Sequence, residues 1–200
     1  MSHGEPRRVA ILGSGTGSNA RALVEYSRGA AKSFTVELII STRSDAGIVN
    51  VAREFNIPYV ILQKNDWVLS LERGIDEAHC DILALAGFMR KLPTSTIEKL
   101  SGRVVNIHPA LLPKFGGAGM YGIHVHTAVI KAGEHTTGAT VHLVTDEYDE
   151  GAILGQDSIQ ILPGDSPESL QERVKRLEHE LYPRVVDAFS REMGIRTRHA

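Results

Sequence analysis

Largely apolar segments that alternate with helix-like stretches are the feature of this sequence that most restricts its fold. Such segments occur at residues 9–12, 36–40, 59–62, 82–86 and 104–108, and stretches with helical spacing of apolar residues separate them. Strands that are apolar on both faces are typical of a parallel sheet covered by helices on each side. We therefore expect an α/β fold, a single Rossmann-like domain with an open, mostly parallel twisted sheet of about seven strands.

The C-terminal part of the sequence predicts a change of strand direction. Residues 139–144 have a strand pattern, an acidic loop follows at 145–151, and a second strand pattern with alternating polarity covers 153–161. Strands joined in this way pair as a hairpin, so we expect an antiparallel strand there. The last helix is predicted to begin at Pro167, with Ser166 as its cap.

Length and composition favour one domain. The 200 residues include 42% hydrophobic and 23% charged residues without a compositional boundary, so we expect a single domain over 1–200 with flexible ends at 1–6 and 194–200. The longest apolar run, 82–89, is too short to span a bilayer. The N-terminus lacks the apolar stretch of a signal peptide and Cys80 is the single cysteine, which favours the cytoplasm. A formal net charge of -2 offers no general attraction for nucleic acid or anionic membranes and favours a small-molecule ligand.

The strand at residues 104–108 ends with an amide and an imidazole side by side. Asn106 and His108 are two positions apart, so their side chains share one face of an extended chain. A neutral donor and a titratable imidazole at the carboxyl end of a strand can stabilise a developing oxyanion. The alternative is a strand end whose asparagine caps a turn and whose histidine is a hydrogen-bonded core residue. The bonds that precede Pro109 and Pro113 are candidates for a cis peptide.

A glycine-rich turn joins the first strand to the first helix. Residues 13–19 contain three glycines, followed by Ser18 and Asn19. The backbone N–H groups of such a turn can converge on an anion, usually a phosphate. The turn is not the dinucleotide fingerprint, because Ser18 replaces the third glycine and no acidic residue ends the next strand. A merely tight turn is the alternative.

Three other groups are candidate contacts for a ligand. Arg90 follows the strand at 82–86, at the sheet edge where ligands gather, although it is equally compatible with a surface position. Glu178 flanks the apolar stripe of the last helix and can bind an ammonium group, although surface ion pairs are more common. A carboxylate of the acidic loop is usually solvated, but near His108 it would orient the ring and raise the pKa of the imidazole.

The loop at residues 114–122 contains four glycines, so we expect it to be mobile in the free protein and to order over a ligand. His124 and His126 follow and would share a face if extended. Together with His108 and His142 they would allow a metal site. Because no cysteine or closely spaced carboxylate completes a ligand set, we expect no metal.

Five segments, in this order, resemble the phosphoribosylglycinamide formyltransferase family, which is folate-dependent. The resemblance covers residues 9–189, and the segments are 15–19, 85–90, 106–113, 144–151 and 178–183. It implies transfer of a formyl group from 10-formyltetrahydrofolate, a co-substrate, to the amine of N1-(5-phospho-D-ribosyl)glycinamide (glycinamide ribonucleotide) in purine biosynthesis. It also implies that the partners are these two small molecules, without metal, nucleic acid or membrane, and that the protein is a monomer or a homodimer.

The resemblance further implies roles for individual residues. Those that match the catalytic trio are Asn106, His108 and Asp149. Those expected to bind the ribonucleotide are Gly17, Ser18, Asn19, Lys175 and Glu178. Those expected to bind the folate are Met89, Arg90, Lys91, Leu92, Asn106, Thr145, Asp146, Glu147 and Tyr148. The sequence departs from the family at Lys91, where an apolar residue is common, and at residues 116–121, which are longer than in many members.

Three alternative functions remain at this point. Formyltransferases that act on methionyl-tRNA or on a sugar nucleotide share the motif and the distal aspartate but carry a second domain, for which this chain has no room. A formyltetrahydrofolate hydrolase would use the same trio on water but usually has an additional N-terminal regulatory domain. A non-enzymatic nucleotide-binding regulatory module would keep the phosphate loop and would not need the trio.

Overall fold

The computed structural model of the protein describes residues 5–196, in which seven strands and six helices alternate except where the last two strands follow each other directly. In chain order these are β1 (Arg7–Gly13), α1 (Ser18–Ser27), β2 (Phe34–Ser41), α2 (Gly47–Glu54), β3 (Tyr59–Ile61), α3 (Trp67–Glu77), β4 (Ile82–Leu85), α4 (Thr94–Leu100), β5 (Val104–His108), α5 (Ile123–Lys131), β6 (Thr136–Leu143), β7 (Ile153–Gln160) and α6 (Pro167–Arg196). Residues 1–4 and 197–200, which belong to the ends predicted to be flexible, lie outside the described residues. Helix α6 includes residues 194–196, the first part of the C-terminal segment for which flexibility was predicted.

The strands form a sheet in the order β3-β2-β1-β4-β5-β6-β7. The pairs among β1 to β5 are parallel, and β6 is antiparallel to both of its neighbours. The predicted fold class, a mostly parallel sheet with an antiparallel strand in the C-terminal part, is confirmed. Because the strand order changes direction between β1 and β4, the loops after these two strands diverge and leave a crevice at their carboxyl ends.

The apolar core lies on both faces of the sheet. Val9 and Ile11 of β1 pack in a cluster with residues of α1, α2, α5 and α6, whereas Ala10 and Leu12 pack with residues of α3 and α4. These four strand residues are all 0% exposed. Burial on both faces accounts for the continuous apolar runs in the sequence. Among residues 5–196, no helix has the length and apolar character needed to cross a membrane.

Tyr182 of α6 contacts both β4 and β5, the two neighbouring strands that lead into the crevice. Its hydroxyl oxygen lies 2.9 Å from the carbonyl oxygen of Leu85 and 3.2 Å from that of Val105. Complete burial raises the pKa of Tyr182 well above its ordinary value, so the hydroxyl keeps its proton and donates it. Helix α6 is thereby tied to the carboxyl end of β4 and to the second residue of β5.

Two predictions about proline positions are answered by the backbone. Pro167 is the first residue of α6, and the Ser166 hydroxyl caps the helix by accepting the N–H of Ser169 at 3.2 Å. The cis peptide bond is Leu112–Pro113.

Helix α5 corrects one expectation. His124 and His126 would share a face only if the segment were extended, and they lie instead on a helix, where positions two apart point about 200° away from each other. His124 is exposed, whereas His126 is 1% exposed. Val125 and Val129, four positions apart, provide the buried stripe that favours the helix over an extended chain.

Candidate active site

A cavity of about 620 Å³ opens beyond the carboxyl ends of β1, β4 and β5. The loops after these strands, the loop between β6 and β7, and helix α6 form its walls. The cavity is lined by every residue that the sequence assigned to the site, namely Gly17, Ser18, Asn19, Met89, Arg90, Lys91, Leu92, Asn106, His108, Thr145, Asp146, Glu147, Tyr148, Asp149, Lys175 and Glu178. Residues that are up to 161 positions apart in sequence therefore share one crevice at the point where the strand order changes.

The glycine-rich turn forms one end of the cavity. Gly17 has a φ of 82° and stands directly before α1. A Cβ atom at Gly17 would lie 2.7 Å from the Cα atom of Ile48, so a larger residue does not fit without a backbone shift. Ser18 and Asn19 begin α1, where backbone N–H groups have no acceptor within the helix. These donors and the positive end of the helix form a place for an anion.

Glu178 is a buried carboxylate beside this turn. It is 8% exposed, and its Oε2 atom accepts a hydrogen bond from the Asn19 side chain at 3.3 Å. Burial raises the pKa of Glu178 to about 7, although Asn19 and the nearby Lys175 act in the opposite direction. A group with this pKa changes its charge near neutral pH and responds to a cation placed beside it.

Asn106 is held by a histidine that the sequence reasoning did not assign to the site. His142 of β6 lies directly opposite Asn106 in the antiparallel ladder and is 2% exposed. Its Nδ1–H donates to the Leu143 carbonyl at 2.8 Å, so its Nε2 accepts the Asn106 amide at 3.1 Å. The Asn106 amide keeps a second hydrogen that can be donated to a ligand. The contact between His142 and Asn106 could not be predicted because it depends on the register in which β5 pairs with β6.

Asp149 lies between two imidazoles. Its Oδ2 atom is 3.5 Å from Nδ1 of His108, and its Oδ1 atom is 3.4 Å from Nε2 of His142. The N–H of Gly117 donates to Oδ2 at 2.9 Å. Burial alone would raise the pKa of Asp149, but the Gly117 N–H and the two histidines, which favour the carboxylate when they are protonated, lower it by more, so the carboxylate stays ionised.

The electrostatics of His108 differ from the expectation. Burial lowers its pKa below the ordinary value, against the opposing effects of Asp149 and the Phe115 carbonyl, so the prediction of a raised pKa is wrong. His108 is 3% exposed, and the loss of hydration outweighs one carboxylate. Its Nε2–H donates to the Phe115 carbonyl at 2.8 Å. A second proton would therefore be added at Nδ1, which faces Asp149.

The loop predicted to be mobile contacts both members of this pair. Phe115, which has a φ of 57°, directs its carbonyl at His108, and Gly117 directs its N–H at Asp149. Between them, a Cβ atom at Gly116 would lie 3.2 Å from Cβ of Asp149 and 2.6 Å from Cδ2 of Leu112. The first half of the loop thus forms a wall beside His108 and Asp149; its mobility stays a prediction.

The other end of the cavity has an apolar and cationic wall. Met89 and Tyr148 are 55% and 44% exposed at the cavity mouth. The guanidinium of Arg90 lies 6.0 Å from the ring centroid of Trp67, and Nζ of Lys91 lies 5.8 Å from that of Tyr148. A planar ligand with anionic groups fits such a surface.

A hydrogen bond stabilises the same wall of the cavity. The Thr94 hydroxyl donates to Oδ1 of Asp146 at 2.7 Å, which ties the start of α4 to the acidic loop. Leu92 is 4% exposed and anchors the same segment in the core.

In the part of the chain that the structure describes, no group of three or more His, Cys, Asp or Glu side chains is arranged to hold a metal ion.

Comparison with known sequences identifies the class of protein to which this fold and cavity belong. The model of the family described as formyl transferase matches residues 7–186. The chain belongs to the formyl transferase family.

Individual relatives narrow the comparison. Phosphoribosylglycinamide formyltransferase, chloroplastic, from Arabidopsis thaliana is 38% identical over 198 residues, which cover 94% of this chain and 68% of that protein. The trifunctional purine biosynthetic protein adenosine-3 of Drosophila melanogaster is 36% identical over 188 residues, and the match covers 90% of this chain and 14% of that protein. A crystal structure of phosphoribosylglycinamide formyltransferase from Brucella melitensis is 35% identical and matches with a TM-score of 0.86, covering 93% of this chain and 96% of that one.

Proposed function

We propose that the chain transfers the formyl group of 10-formyltetrahydrofolate to the amine of glycinamide ribonucleotide, a step of purine biosynthesis. The observation that carries this proposal is the position of Asn106, His108 and Asp149 in one cavity, between an anion-binding turn and an apolar, cationic wall. The two ends suit two different molecules, a phosphorylated one and a planar heteroaromatic one. The names of the phosphoribosylglycinamide formyltransferases reported above support formyl transfer to this acceptor.

The ribonucleotide is proposed to bind at the turn and α6. The N–H groups of Ser18 and Asn19, with the cation of Lys175, attract its phosphate. Glu178 receives its amine. Because the pKa of Glu178 is about 7, an ammonium group beside it favours the ionised carboxylate, and transfer of the ammonium proton leaves the neutral amine that attack requires.

The folate is proposed to bind at the opposite wall. Met89 and Tyr148 expose apolar surface for the pterin and aryl rings, and Arg90 and Lys91 provide cations for the folate carboxylates. The loop 145–149, of which Tyr148 is part, then brings the formyl group to Asn106.

The chemical step follows from the contacts of the catalytic residues. Attack of the amine nitrogen on the formyl carbon forms a C–N bond and a tetrahedral oxyanion. The free hydrogen of the Asn106 amide is available to this oxyanion, because His142 accepts the other one. Removal of one such donor typically costs about 3 to 4 kcal/mol in the barrier.

Proton movement completes the transfer. His108 is neutral in the free protein because burial lowers its pKa, and the negative charge that develops on the oxyanion favours its protonation at Nδ1. Asp149, 3.5 Å away, stabilises the imidazolium. The attacking amine gives a proton to Nδ1 of His108, which passes it to N10 of the folate as the bond between N10 and the formyl carbon breaks. The proton that Glu178 took from the ammonium group is released to solvent, so the transfer liberates one proton overall.

One assay tests the proposal. Purified protein is mixed with 10-formyltetrahydrofolate, and folate deformylation is followed with and without glycinamide ribonucleotide. The proposal requires deformylation that depends on the ribonucleotide and yields an equal amount of its formyl derivative. Equal deformylation without ribonucleotide would mean a hydrolase, and binding of ribonucleotide without any deformylation would mean a regulatory module.

The proposal extends to the setting of the reaction. We propose that residues 1–200 form one formyltransferase domain that acts in the cytoplasm as a monomer or homodimer, without metal. A net charge of -2 and a lone cysteine, Cys80, are in keeping with small-molecule substrates in a reducing compartment. Sedimentation of the purified protein tests the oligomeric state, and retention of activity after treatment with a chelator tests the independence from metal.

A further inference from the structure

His126 is a buried imidazole that the steps above do not use. It lies on α5 and is 1% exposed, and its Nδ1 atom has no hydrogen-bond partner among the described residues. The two other buried histidines differ, since His108 donates to the Phe115 carbonyl and His142 to that of Leu143. A buried polar group without a partner is costly and rare in native proteins, so its retention calls for a reason.

The surroundings of His126 point to a ligand contact. His126 lines the cavity that holds the proposed site, within electrostatic reach of both Lys175 and His108. Burial lowers the pKa of His126 to about 4, and the positive charge of Lys175 and that of His108, when it is protonated, act in the same direction. The ring is therefore neutral at pH 7, with one donor and one acceptor.

The position of the His126 ring along the cavity indicates which part of the ribonucleotide lies beside it. Lys175 belongs to the end proposed for the phosphate, and His108 to the proposed catalytic trio, which the amine must reach in order to attack the formyl group. The ribose of the ribonucleotide connects these two groups, so it must pass the region between them. Nδ1 is inaccessible to solvent in the free protein, and a half-turn of the ring about the Cβ–Cγ bond exchanges it with Cδ2, which changes the direction in which the nitrogen points without movement of the helix.

We propose that His126 is a binding residue that forms a hydrogen bond with the ribose of the ribonucleotide. This inference rests on the proposed function, because that function places the ribose. A neutral imidazole suits a hydroxyl group, which both donates and accepts. The partner that His126 lacks in the free protein is thus supplied by the substrate.

The test uses a substitution that should weaken ligand binding without lowering the stability of the free protein. His126→Phe keeps an aromatic ring of similar size and removes both nitrogens. Affinity for ribose 5-phosphate, measured by calorimetry, should fall about tenfold, the value of one good hydrogen bond. Affinity for inorganic phosphate and for 10-formyltetrahydrofolate should stay within about twofold. The Tm of the free protein should stay the same or rise by about 2 to 4 °C, because an unpaired polar group has been removed.

Two further variants serve as controls. His124→Phe makes the same change on the same helix, at an exposed residue that contacts Tyr121 and does not line the cavity, and should leave all three affinities unchanged. His126→Asn restores a donor and an acceptor near the position of Nδ1 and should recover part of the ribose 5-phosphate affinity.

The outcomes separate this inference from its alternatives. An unchanged ribose 5-phosphate affinity in His126→Phe would overturn it. Equal losses for ribose 5-phosphate and inorganic phosphate would place the contact at the phosphate and overturn the ribose assignment. A lower Tm with losses for every ligand, not recovered in His126→Asn, would show a packing role instead. Because these are binding measurements, they stand apart from the formyl transfer assay, whose failure with wild-type protein would refute only the proposed function.

Discussion

Replacement of Asp149 by asparagine tests the electrostatic basis of the proposed reaction most directly. Asp149 has a φ of 58°, a conformation that asparagine adopts more readily than most residues, so the backbone should be kept. The amide oxygen of the variant can still accept the N–H of Gly117, as the carboxylate does at 2.9 Å. What is lost is the negative charge that faces His108.

The distance between the two groups gives the size of the effect. Unit charges separated by 3.5 Å attract each other by about 5 kcal/mol at an effective dielectric constant of about 20. In folded proteins a neighbouring opposite charge moves a pKa by about 1 to 3, which corresponds to about 1.4 to 4 kcal/mol. If His108 must become an imidazolium in the transition state, Asp149→Asn should lower kcat by about 10- to 1000-fold.

The pH dependence gives a second and independent signature. The pKa of His108 already lies below its ordinary value because of burial, and Asp149 opposes that effect. Since the reaction requires neutral His108 at the start, kcat/KM should rise with pH through the His108 pKa. In Asp149→Asn that rise should move to lower pH by about 1 to 3, while the plateau falls. An NMR titration of the His108 ring should show the same order of pKa values.

A matched control removes another charge from the same loop. Glu150 is exposed and does not line the cavity, so Glu150→Gln should leave both the plateau and the pH profile unchanged. Near-normal turnover in Asp149→Asn, or a pH profile displaced upward, would refute the reasoning. So would equal effects of the two variants.

Other predictions follow from single contacts. Gly17→Ala should weaken binding of the ribonucleotide at least about tenfold while folate binding persists, because its Cβ would lie 2.7 Å from Cα of Ile48 and displace the turn; calorimetry with each ligand checks this. Tyr182→Phe leaves the carbonyls of Leu85 and Val105 without their buried donor, so urea denaturation should show a loss of about 1 to 3 kcal/mol. Glu178→Gln should weaken ribonucleotide binding more than it slows turnover. It should also stabilise the free protein at pH 8 by up to about 3 kcal/mol, a gain that shrinks as the pH falls from 7 towards 4.5 in denaturation measured at several pH values.

The sequence was most informative where local pattern and tertiary environment agree. The strand predicted at residues 104–108 is β5, Val104–His108, because an apolar run flanked by breakers has few other uses in an α/β chain. Its two polar residues face the crevice because parallel strands present their carboxyl ends at one edge. Ser166 as a cap follows from hydrogen-bond chemistry within four residues.

Features that depend on contacts between distant parts of the chain could not be predicted from local patterns in the sequence. His142 reaches Asn106 only because β6 pairs with β5 in one particular register, and nothing local in the sequence sets that register. The pKa of His108 depends on a balance between burial and one carboxylate. The sequence identified the carboxylate but not the depth of burial, so the net direction came out wrong. Helix α5 follows a glycine-rich loop, whose composition obscured the helix start.

The buried ionisable groups of the cavity share one thermodynamic property, which links stability to binding. The pKa of Glu178 is about 7 instead of 4.5, so ionising it costs the folded protein about 3 kcal/mol more than the unfolded chain, a penalty present above pH 7 and absent below pH 4.5. The pKa of His126 is about 4 instead of 6.5, so its penalty is similar in size, present below pH 4 and absent above pH 6.5. Each penalty arises because a polar group is withdrawn from water without an adequate partner. A ligand that brings an ammonium group to Glu178 offsets the first penalty. At neutral pH the second penalty is absent, and the remaining cost at His126 is its unpaired Nδ1 atom, which a ligand hydroxyl group would pair. Selection for stability alone would replace these residues by apolar ones, and their presence in the cavity wall is best understood as a property of the complex with substrate.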